Sequence, residues 1–261
     1  MAFAPQPTAA DLAFLAGLVP GVRDRREAAR RLAEDPRLLA DALDDPRALE
    51  RLWPPAPASP PDVSPWLLFA VLLRAATRDL DHGAVIPEWA GPREVVPLFD
   101  GREAARALHD PDARREMERL LTAFTRADER RFAVYEDGHL RRLVVHSLDP
   151  DSMRAALPYA QGEVAGDLLR RMADAYLFLA GVFPDHVVER RGEPLDAWER
   201  RGQGLYRTAA AHYEEVAPAW ARRLEGLAAS FHPTRRALNY LSERYLADRR
   251  RAWFTVHAPG A

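Results

Sequence analysis

The sequence has no cysteine and no lysine, and isoleucine and asparagine occur once each, as Ile86 and Asn239. The absence of cysteine excludes disulfide frameworks, cysteine-based zinc sites, thiol catalysis and cysteine-ligated clusters. All 37 basic residues are therefore arginine. Because the codons for lysine, isoleucine and asparagine are AT-rich, their scarcity indicates a GC-rich genome rather than selection for guanidinium chemistry.

Long apolar runs are also missing. No stretch approaches the ~20 apolar residues that a membrane-spanning helix needs. The best candidate, residues 172–183, is shorter and contains Asp174. The first basic residue is Arg23, so the chain starts without the basic region of a secretory signal. Together with the lack of cysteine, these features predict a cytoplasmic protein that does not bind membranes.

What the chain does have is enough apolar material to fold. Hydrophobic residues make up 48% of the 261 residues, which predicts an ordered chain with a sizeable core. The formal net charge is −2, so the chain as a whole does not attract nucleic acid. Binding to nucleic acid would need a local basic patch.

The N-terminal segment, residues 1–60, is predicted to consist of short helices. Asp35-Pro36 and Asp45-Pro46 each read as a helix start, in which aspartate caps free N–H groups and proline occupies the first helical position. Residues 54–61 are rich in proline and predict an extended linker. We therefore expect a boundary near residue 60.

The middle segment, residues 61–149, is predicted to be a small α+β module. Asp137-Gly138 separates two β-rich runs and is a strong hairpin signal, because Asp-Gly favours a tight type I′ turn. The predicted elements are a helix from Ser64 to about Leu80, a strand Val95–Phe99, helices Gly101–His109 and Asp112–Ala127, and strands Arg131–Glu136 and Leu140–His146.

This order of elements resembles that of a winged-helix domain, although no sequence motif beyond the order supports the resemblance. It implies that Val95–Phe99 pairs with the hairpin around Asp137-Gly138. In a winged helix the third helix enters the major groove of DNA and the wing contacts the backbone.

The C-terminal segment, residues 150–261, is predicted to be wholly helical. Four long amphipathic patterns with short connections predict an antiparallel helical bundle. The predicted helices are 161–182, 194–216, 218–231 and 233–254. The fold class predicted for the chain is therefore mainly α, with one small α+β module that contains a β-hairpin.

Arginine clusters are the candidate nucleic-acid-binding residues, because guanidinium groups suit phosphates and guanine edges. The C-terminal helix is basic, and Arg235 and Arg236 belong to it. Residues 101–146, however, carry ten arginines against nine acidic residues, which weakens this hypothesis. The candidates are Arg114, Arg115, Arg119, Arg141, Arg142, Arg249, Arg250 and Arg251.

Metal or enzyme chemistry is the alternative. His186 with Glu189 and His212 with Glu215 have i, i+3 spacing, but in the reverse order of the di-iron motif. Asp174 interrupts an apolar run and needs a buried partner, for which arginine is the first candidate. No residue is predicted to be catalytic, and no metal or cofactor is predicted.

We therefore expect a regulatory or interaction protein that binds another protein or, with less support, nucleic acid. The alternative is a helical-bundle enzyme, or a small-ligand or metal-binding protein, with its site within residues 161–254. The bundle interior distinguishes the two hypotheses. An enzyme should have carboxylates or histidines that point inward around a cavity, whereas an interaction protein should have a dry apolar core.

Overall fold

A computed structural model describes residues 6–22, 24–53, 62–91, 93–126, 129–136, 139–190, 192–247, 250 and 254. Helices dominate these residues, which confirms the predicted mainly α fold class. The α-helices are α1 (Ala9–Ala16), α2 (Arg25–Glu34), α3 (Pro36–Asp44), α4 (Pro46–Leu52), α5 (Pro65–Asp81), α6 (Gly101–His109), α7 (Pro111–Phe124), α8 (Pro150–Ala156), α9 (Gly162–Val182), α10 (Leu195–Tyr213), α11 (Pro218–Ala229) and α12 (Phe231–Leu241).

Short irregular helical turns and two β-hairpins complete these elements. A 3₁₀ turn spans Leu157–Tyr159, and π-helical turns span His186–Arg190 and Ser242–Leu246. The strands are β1 (Ile86–Gly91), β2 (Glu94–Leu98), β3 (Glu129–Glu136) and β4 (His139–His146). In the described part of the chain, no helix combines the length and the apolar composition that a bilayer crossing requires.

Aspartate–proline steps begin several helices, as predicted. The Asp35 carboxylate accepts the N–H groups of Arg37 and Leu38 at 2.9 and 3.2 Å, and Asp45 accepts that of Arg47 at 2.9 Å. Each carboxylate satisfies donors that the first helical turn leaves free, and the proline that follows has no donor to satisfy. The same step begins α7 and α8.

A buried carboxylate ties the start of α1 to the start of α5. Asp11 is fully buried and accepts the Thr8 N–H at 2.8 Å. It also accepts the backbone N–H of Ser64 at 2.9 Å and the Ser64 hydroxyl at 2.7 Å. The predicted proline-rich linker, residues 54–61, lies outside the described residues, but Asp11 before it in the chain and Ser64 after it are in direct contact.

One continuous set of buried apolar side chains extends from Leu15 to Phe254. Helix α5 packs on α3, α4, α6, α7 and α12, and α9 packs on α7, α8, α10 and α12. Phe69 stacks on Phe254 at 5.6 Å between ring centroids, and Phe124 stacks on Phe178 at 4.4 Å. Segments 1–60, 61–149 and 150–261 therefore contribute to a shared core.

Helices α9 to α12 form the predicted C-terminal bundle. Glycines let its helices approach closely. A Cβ on Gly202 of α10 would lie 2.4 Å from the ring of Phe231, and one on Gly181 of α9 would lie 2.8 Å from Leu238. Gly204 has open space instead. Gly202 and Gly181 are thus contact points between helices.

The predicted pairing of residues 95–99 with the second hairpin is wrong. β2 pairs with β1, from Ile86 opposite Leu98 to Gly91 opposite Glu94. β3 and β4 form a separate two-stranded sheet, as the hairpin signal predicted, although its turn residues Asp137 and Gly138 lie outside the described residues. β1 was not predicted from the sequence, because Pro87 and Gly91 disfavour a strand. The sheet arrangement that a winged helix would need is therefore not formed.

Candidate functional site

The β1–β2 hairpin, called hairpin 1 below, has two faces of different chemistry. Residues directly opposite each other in antiparallel strands point to the same side of the sheet. Ile86 is fully buried opposite Leu98, so their side of the hairpin faces the protein interior. The other side, called the outer face below, is apolar along its length. Its strand residues are Pro87 with Pro97 and Trp89 with Val95, and it is extended here to Val85 and Phe99, which continue the same alternation just outside the strands.

The outer face is exposed. Phe99 has 80% of its surface accessible, Val95 46% and Val85 41%, and Pro97 is also exposed. Trp89 is half-buried and packs against the core. Four other large exposed hydrophobic residues of the described chain lie apart, on β4, at the 3₁₀ turn, on α9 and after α10. Contiguous exposed apolar residues of this kind mark binding surfaces, whereas scattered ones are ordinary.

Pro87 and Pro97 determine how hairpin 1 can associate, because one of them blocks the free edge of β2. Pro87 and Pro97 face each other, and neither has an N–H with which to form a ladder hydrogen bond. They therefore occupy a non-hydrogen-bonded pair, in which the nitrogen of Pro97 points to the free edge of β2. A missing donor at a sheet edge disfavours the addition of another strand. A partner is accordingly expected on the outer face rather than along the edge.

Charged contacts fix the inner side of hairpin 1 to α12. Arg235 of α12 is fully buried and donates to Glu88 of β1 and to Glu199 of α10. The amide of Asn239 donates to the carbonyl of Pro87. Buried charges of this kind are held by their partners, because separating them would leave a charge without compensation. Hairpin 1 therefore has a defined position on the bundle.

Two further contacts extend this attachment. Arg236 donates to Asp100, the residue that follows Phe99. The Nδ1 atom of His232 lies 2.7 Å from the carboxylate oxygen of Glu199 that Arg235 does not contact. Gly101, at the start of α6, approaches the carbonyl of Ala84 so closely that a Cβ there would lie 2.6 Å from the oxygen. Both ends of hairpin 1 are thus anchored next to Val85 and Phe99.

Inside the bundle, Asp174 lies at the centre of a second cluster of charged and polar side chains. Its side chain is 6% exposed, and one oxygen accepts from Arg119 at 2.9 Å and from Arg170 at 2.6 Å. The other oxygen accepts from the Tyr206 hydroxyl at 2.7 Å. The prediction that arginine pairs with Asp174 is confirmed. Both carboxylate oxygens have partners from the protein, which is the pattern of a structural ion cluster.

The pKa values of this cluster follow from those contacts. Burial opposes ionisation of Asp174, but the charges of Arg119 and Arg170 outweigh burial, so its pKa is lowered. Burial and the neighbouring Asp174 charge raise the pKa of Tyr206 well above its usual value. Burial also opposes ionisation of Asp167, yet Arg170 and Arg171 lower its pKa to about 2. All these carboxylates are therefore ionised at neutral pH.

A smaller polar cluster lies where α5 meets the end of α12. Asp79 accepts hydrogen bonds from the hydroxyls of Tyr240 and Tyr245, at 2.9 and 2.5 Å. Burial and the hydrogen bond to Asp79 raise the pKa of Tyr240 to about 12, and they raise that of Tyr245 as well. Both tyrosines are therefore protonated donors at neutral pH, and the cluster joins α5 to the C-terminal helices.

The candidate arginines of α7 point in different directions. Arg119 is 12% exposed and occupied by Asp174 and Glu116. Arg114 donates to the carbonyl of Leu108 at 3.0 Å. Arg115 is exposed and pairs with Asp112 within its own helix. Of these three side chains, only that of Arg115 is largely exposed.

The other candidate arginines lie elsewhere. Arg142 is exposed on β4, which packs on α8, whereas α7 packs on α5, α6, α9 and α11. Arg250 is mostly buried, pairs with Asp185 and Glu243, and lies over the ring of Phe183 at 5.1 Å. The side chain of Arg141 and the whole of Arg249 and Arg251 lie outside the described residues. Three of the described candidates lie on α7, one on β4 and one near the C-terminus, so the described set is spread over separate elements.

Replacing Arg119 with alanine is expected to lower the free energy of unfolding, whereas replacing Arg115 with alanine should change it little. The first change leaves Asp174 and Glu116 short of a partner in the interior, and the second removes an exposed pair within one helix. Chemical denaturation of both variants measures the difference. Equal stability of the two variants would contradict the assignment of Arg119 to the core.

The histidine–glutamate pairs do not form a metal site. Among the residues that the structure describes, no three His, Asp or Glu side chains come together in a geometry that could hold a metal ion. His186 begins the first π-helical turn, and His212 is exposed near the end of α10. The described part of the bundle interior holds the Asp174 cluster, in which arginines occupy the carboxylates.

The residues that make hairpin 1 distinctive are not evident from the sequence. Phe99 follows the predicted strand, but no sequence pattern shows that it is exposed. Arg235 was counted as part of a basic helix, although it lies fully buried between Glu88 and Glu199. One available signal was the symmetry of Pro87 and Pro97 about a Gly-Pro-Arg turn, which indicates a second hairpin.

Comparisons with protein-family models, with curated proteins and with solved structures find no match to this chain. These comparisons therefore assign no family to the chain.

Proposed function

We propose that this chain is an interaction protein whose partner protein binds the outer face of hairpin 1. The observation that carries the proposal is Phe99, a large aromatic residue with 80% of its surface exposed beside exposed Val95 and Pro97. Leaving such a surface in water is unfavourable, and covering it with a partner recovers about 25 cal/mol per Å² of apolar area. Aromatic residues are also enriched among those that dominate binding energy.

The attachment of hairpin 1 supports the same proposal. A binding surface that is already fixed loses less conformational freedom when a partner arrives. Arg235 and Asn239 hold β1, and Arg236 holds the residue next to Phe99. These contacts place the apolar residues on a rigid support, which is what a docking surface requires.

Nucleic-acid binding has less support as a proposal. Arg119 and Arg250 already neutralise carboxylates of the protein, so they are not free to neutralise phosphates. A metal-dependent enzyme also has less support, because no three His, Asp or Glu side chains of the described bundle form a group that could hold a metal ion. Fluorescence anisotropy with labelled nucleic acid at two salt concentrations tests the first point, and binding that weakens steeply with salt would favour it.

Replacing Phe99 with glutamate is expected to abolish partner binding while leaving the fold intact. The new charge would have to be buried without a partner in the complex, whereas in the free protein it is exposed to water. Quantitative affinity purification from the native cell compares the proteins captured by the wild type and by the variant. The proteins that the wild type enriches are then tested by direct titration with purified material.

Val216→Glu is the matched control, because Val216 is 63% exposed but lies after α10, away from hairpin 1. It should retain the partners that Phe99→Glu loses. Val95→Glu should lose the same partners as Phe99→Glu. If neither hairpin variant changes the set of captured proteins, the outer face is not the docking surface.

A further inference from the structure

We propose that the contact between β1 and α12 contains a binding site for one buried water molecule, held by Arg235, Glu88 and Asn239. The observation is a group of buried polar atoms that accept or donate no hydrogen bond within the protein. These atoms are Nη1 of Arg235, Oε2 of Glu88 and Oδ1 of Asn239. The side chains of Arg235 and Asn239 are themselves fully buried. Because most buried polar atoms in proteins are hydrogen-bonded, three unpaired ones at one contact require an explanation.

The hydrogen bonds of the same side chains place the three atoms at one contact. Arg235 and Asn239 are four residues apart on α12, so they lie on the same face of that helix. They contact consecutive residues of β1. Nη2 of Arg235 donates to Oε1 of Glu88, and the amide nitrogen of Asn239 donates to the carbonyl of Pro87. Each unpaired atom therefore belongs to a group that already bridges α12 and β1.

The paired atoms fix the role of each unpaired one. The carbonyl of Pro87 only accepts hydrogen bonds, so the amide nitrogen of Asn239 faces it and the amide oxygen is left as an acceptor. Nε of Arg235 donates to Glu199 and Nη2 donates to Glu88, which leaves the N–H groups of Nη1 as donors. Oε2 of Glu88 is left as a second acceptor. The site thus offers one donor group and two acceptors.

This combination selects the ligand. A metal ion or an ammonium group cannot accept a hydrogen bond from the guanidinium, and an anion such as chloride cannot donate to the two acceptors. One water molecule donates two hydrogen bonds and accepts at least one, so it satisfies all three atoms. Buried waters in proteins typically make about three hydrogen bonds of this kind. The three groups do not pair directly with one another, and a bridging water accounts for that arrangement.

The bridging water extends the attachment of hairpin 1 to the bundle. It joins β1 to two successive turns of α12, and it removes the cost of leaving three buried polar atoms unpaired. Glu88 lies between Pro87 and Trp89 in β1, so its side chain points away from the outer face. The water site is therefore separate from the proposed docking surface, and either proposal stands without the other.

A crystal structure of the full chain, at a resolution that shows ordered water, tests the site. We expect one water molecule within about 2.7–3.2 Å of Nη1 of Arg235, Oε2 of Glu88 and Oδ1 of Asn239. A structure in which no water bridges these three atoms, whether they pair directly or not, would overturn the inference.

Magnetic relaxation dispersion of water tests the same site in solution, because it detects buried waters that exchange slowly with solvent. Asn239→Leu keeps a similar shape but removes one of the two acceptors, so it should lose the contribution of about one long-lived water. Val216→Glu changes an exposed residue after α10 and should match the wild type. Equal contributions from the wild type and Asn239→Leu would contradict the proposal. If Asn239→Leu does not fold, the crystal structure of the wild type decides alone.

Discussion

Replacing Asp174 with alanine is expected to lower the free energy of unfolding by about 3–5 kcal/mol, the cost of removing one member of a buried ion cluster. Arg119 and Arg170 would remain in the interior with their positive charges facing each other, and Tyr206 would lose its acceptor. Urea denaturation followed by circular dichroism measures the change.

Asp196 provides the matched control, because it forms an i, i+4 pair with Arg200 on α10 just as Asp174 does with Arg170 on α9. Both side chains of the Asp196 pair are largely exposed, so Asp196→Ala should leave stability nearly unchanged. If Asp174→Ala is too unstable to purify, Tyr206→Phe removes one hydrogen bond of the cluster and should cost about 1–2 kcal/mol. Equal effects at Asp174 and Asp196 would show that the cluster is not buried in solution.

The same cluster predicts how stability depends on pH. The folded state lowers the pKa of Asp174 and Asp167 below the ordinary value of 3.8, that of Asp167 to about 2. A lowered pKa contributes stability above pH 3.8, and this stability is lost as pH falls through the folded-state pKa. The wild type should therefore lose stability between about pH 4 and pH 2. Asp174→Asn should show a shallower decline over that interval.

Gly202→Ala is expected to destabilise the protein by about 1–3 kcal/mol, although alanine is the better helix former. The added Cβ would lie 2.4 Å from two ring atoms of Phe231, which is itself fully buried against Tyr206. The ring cannot withdraw without disturbing the contact between α10 and α12. Thermal denaturation of the variant measures the loss.

Gly204→Ala is the opposite case on the same helix. Nothing lies within 4 Å of its added Cβ, so the higher helix propensity of alanine should stabilise the protein by about 0.5–1 kcal/mol. The two alanine variants are therefore expected to differ in sign. A stabilising effect at both positions would contradict the close packing of Gly202 against Phe231.

Features of the fold that depend on short stretches of chain were predictable from the sequence. Asp35-Pro36 and Asp45-Pro46 begin helices because capping involves only neighbouring residues. The β3–β4 hairpin follows from two β-rich runs around Asp-Gly. Asp174 could be assigned an arginine partner because an ionised carboxylate in an apolar run has few other solutions. The sequence did not show which arginines would pair with it.

Features that depend on contacts between distant residues were missed or wrong. Arg119 looked like a surface arginine of an exposed helix, yet it reaches Asp174, which is 55 residues away in the chain. The predicted partner of β2 was wrong because β1 contains Pro87, which has no N–H and disfavours a strand. Phe99 is exposed because residues far from it in the chain leave it uncovered, and a single sequence carries no direct signal for that.

The contact between Glu88 and Arg235 joins two residues that are made at different times during synthesis of the chain. These residues are 147 positions apart, so hairpin 1 is made long before the arginine that fixes its inner side. At about 5–20 residues per second, a ribosome needs roughly 7–30 s to travel that distance. During this interval Arg235 has not yet been made, so Glu88 cannot form its ion pair. Hairpin 1 can therefore take its anchored position only after synthesis has reached α12.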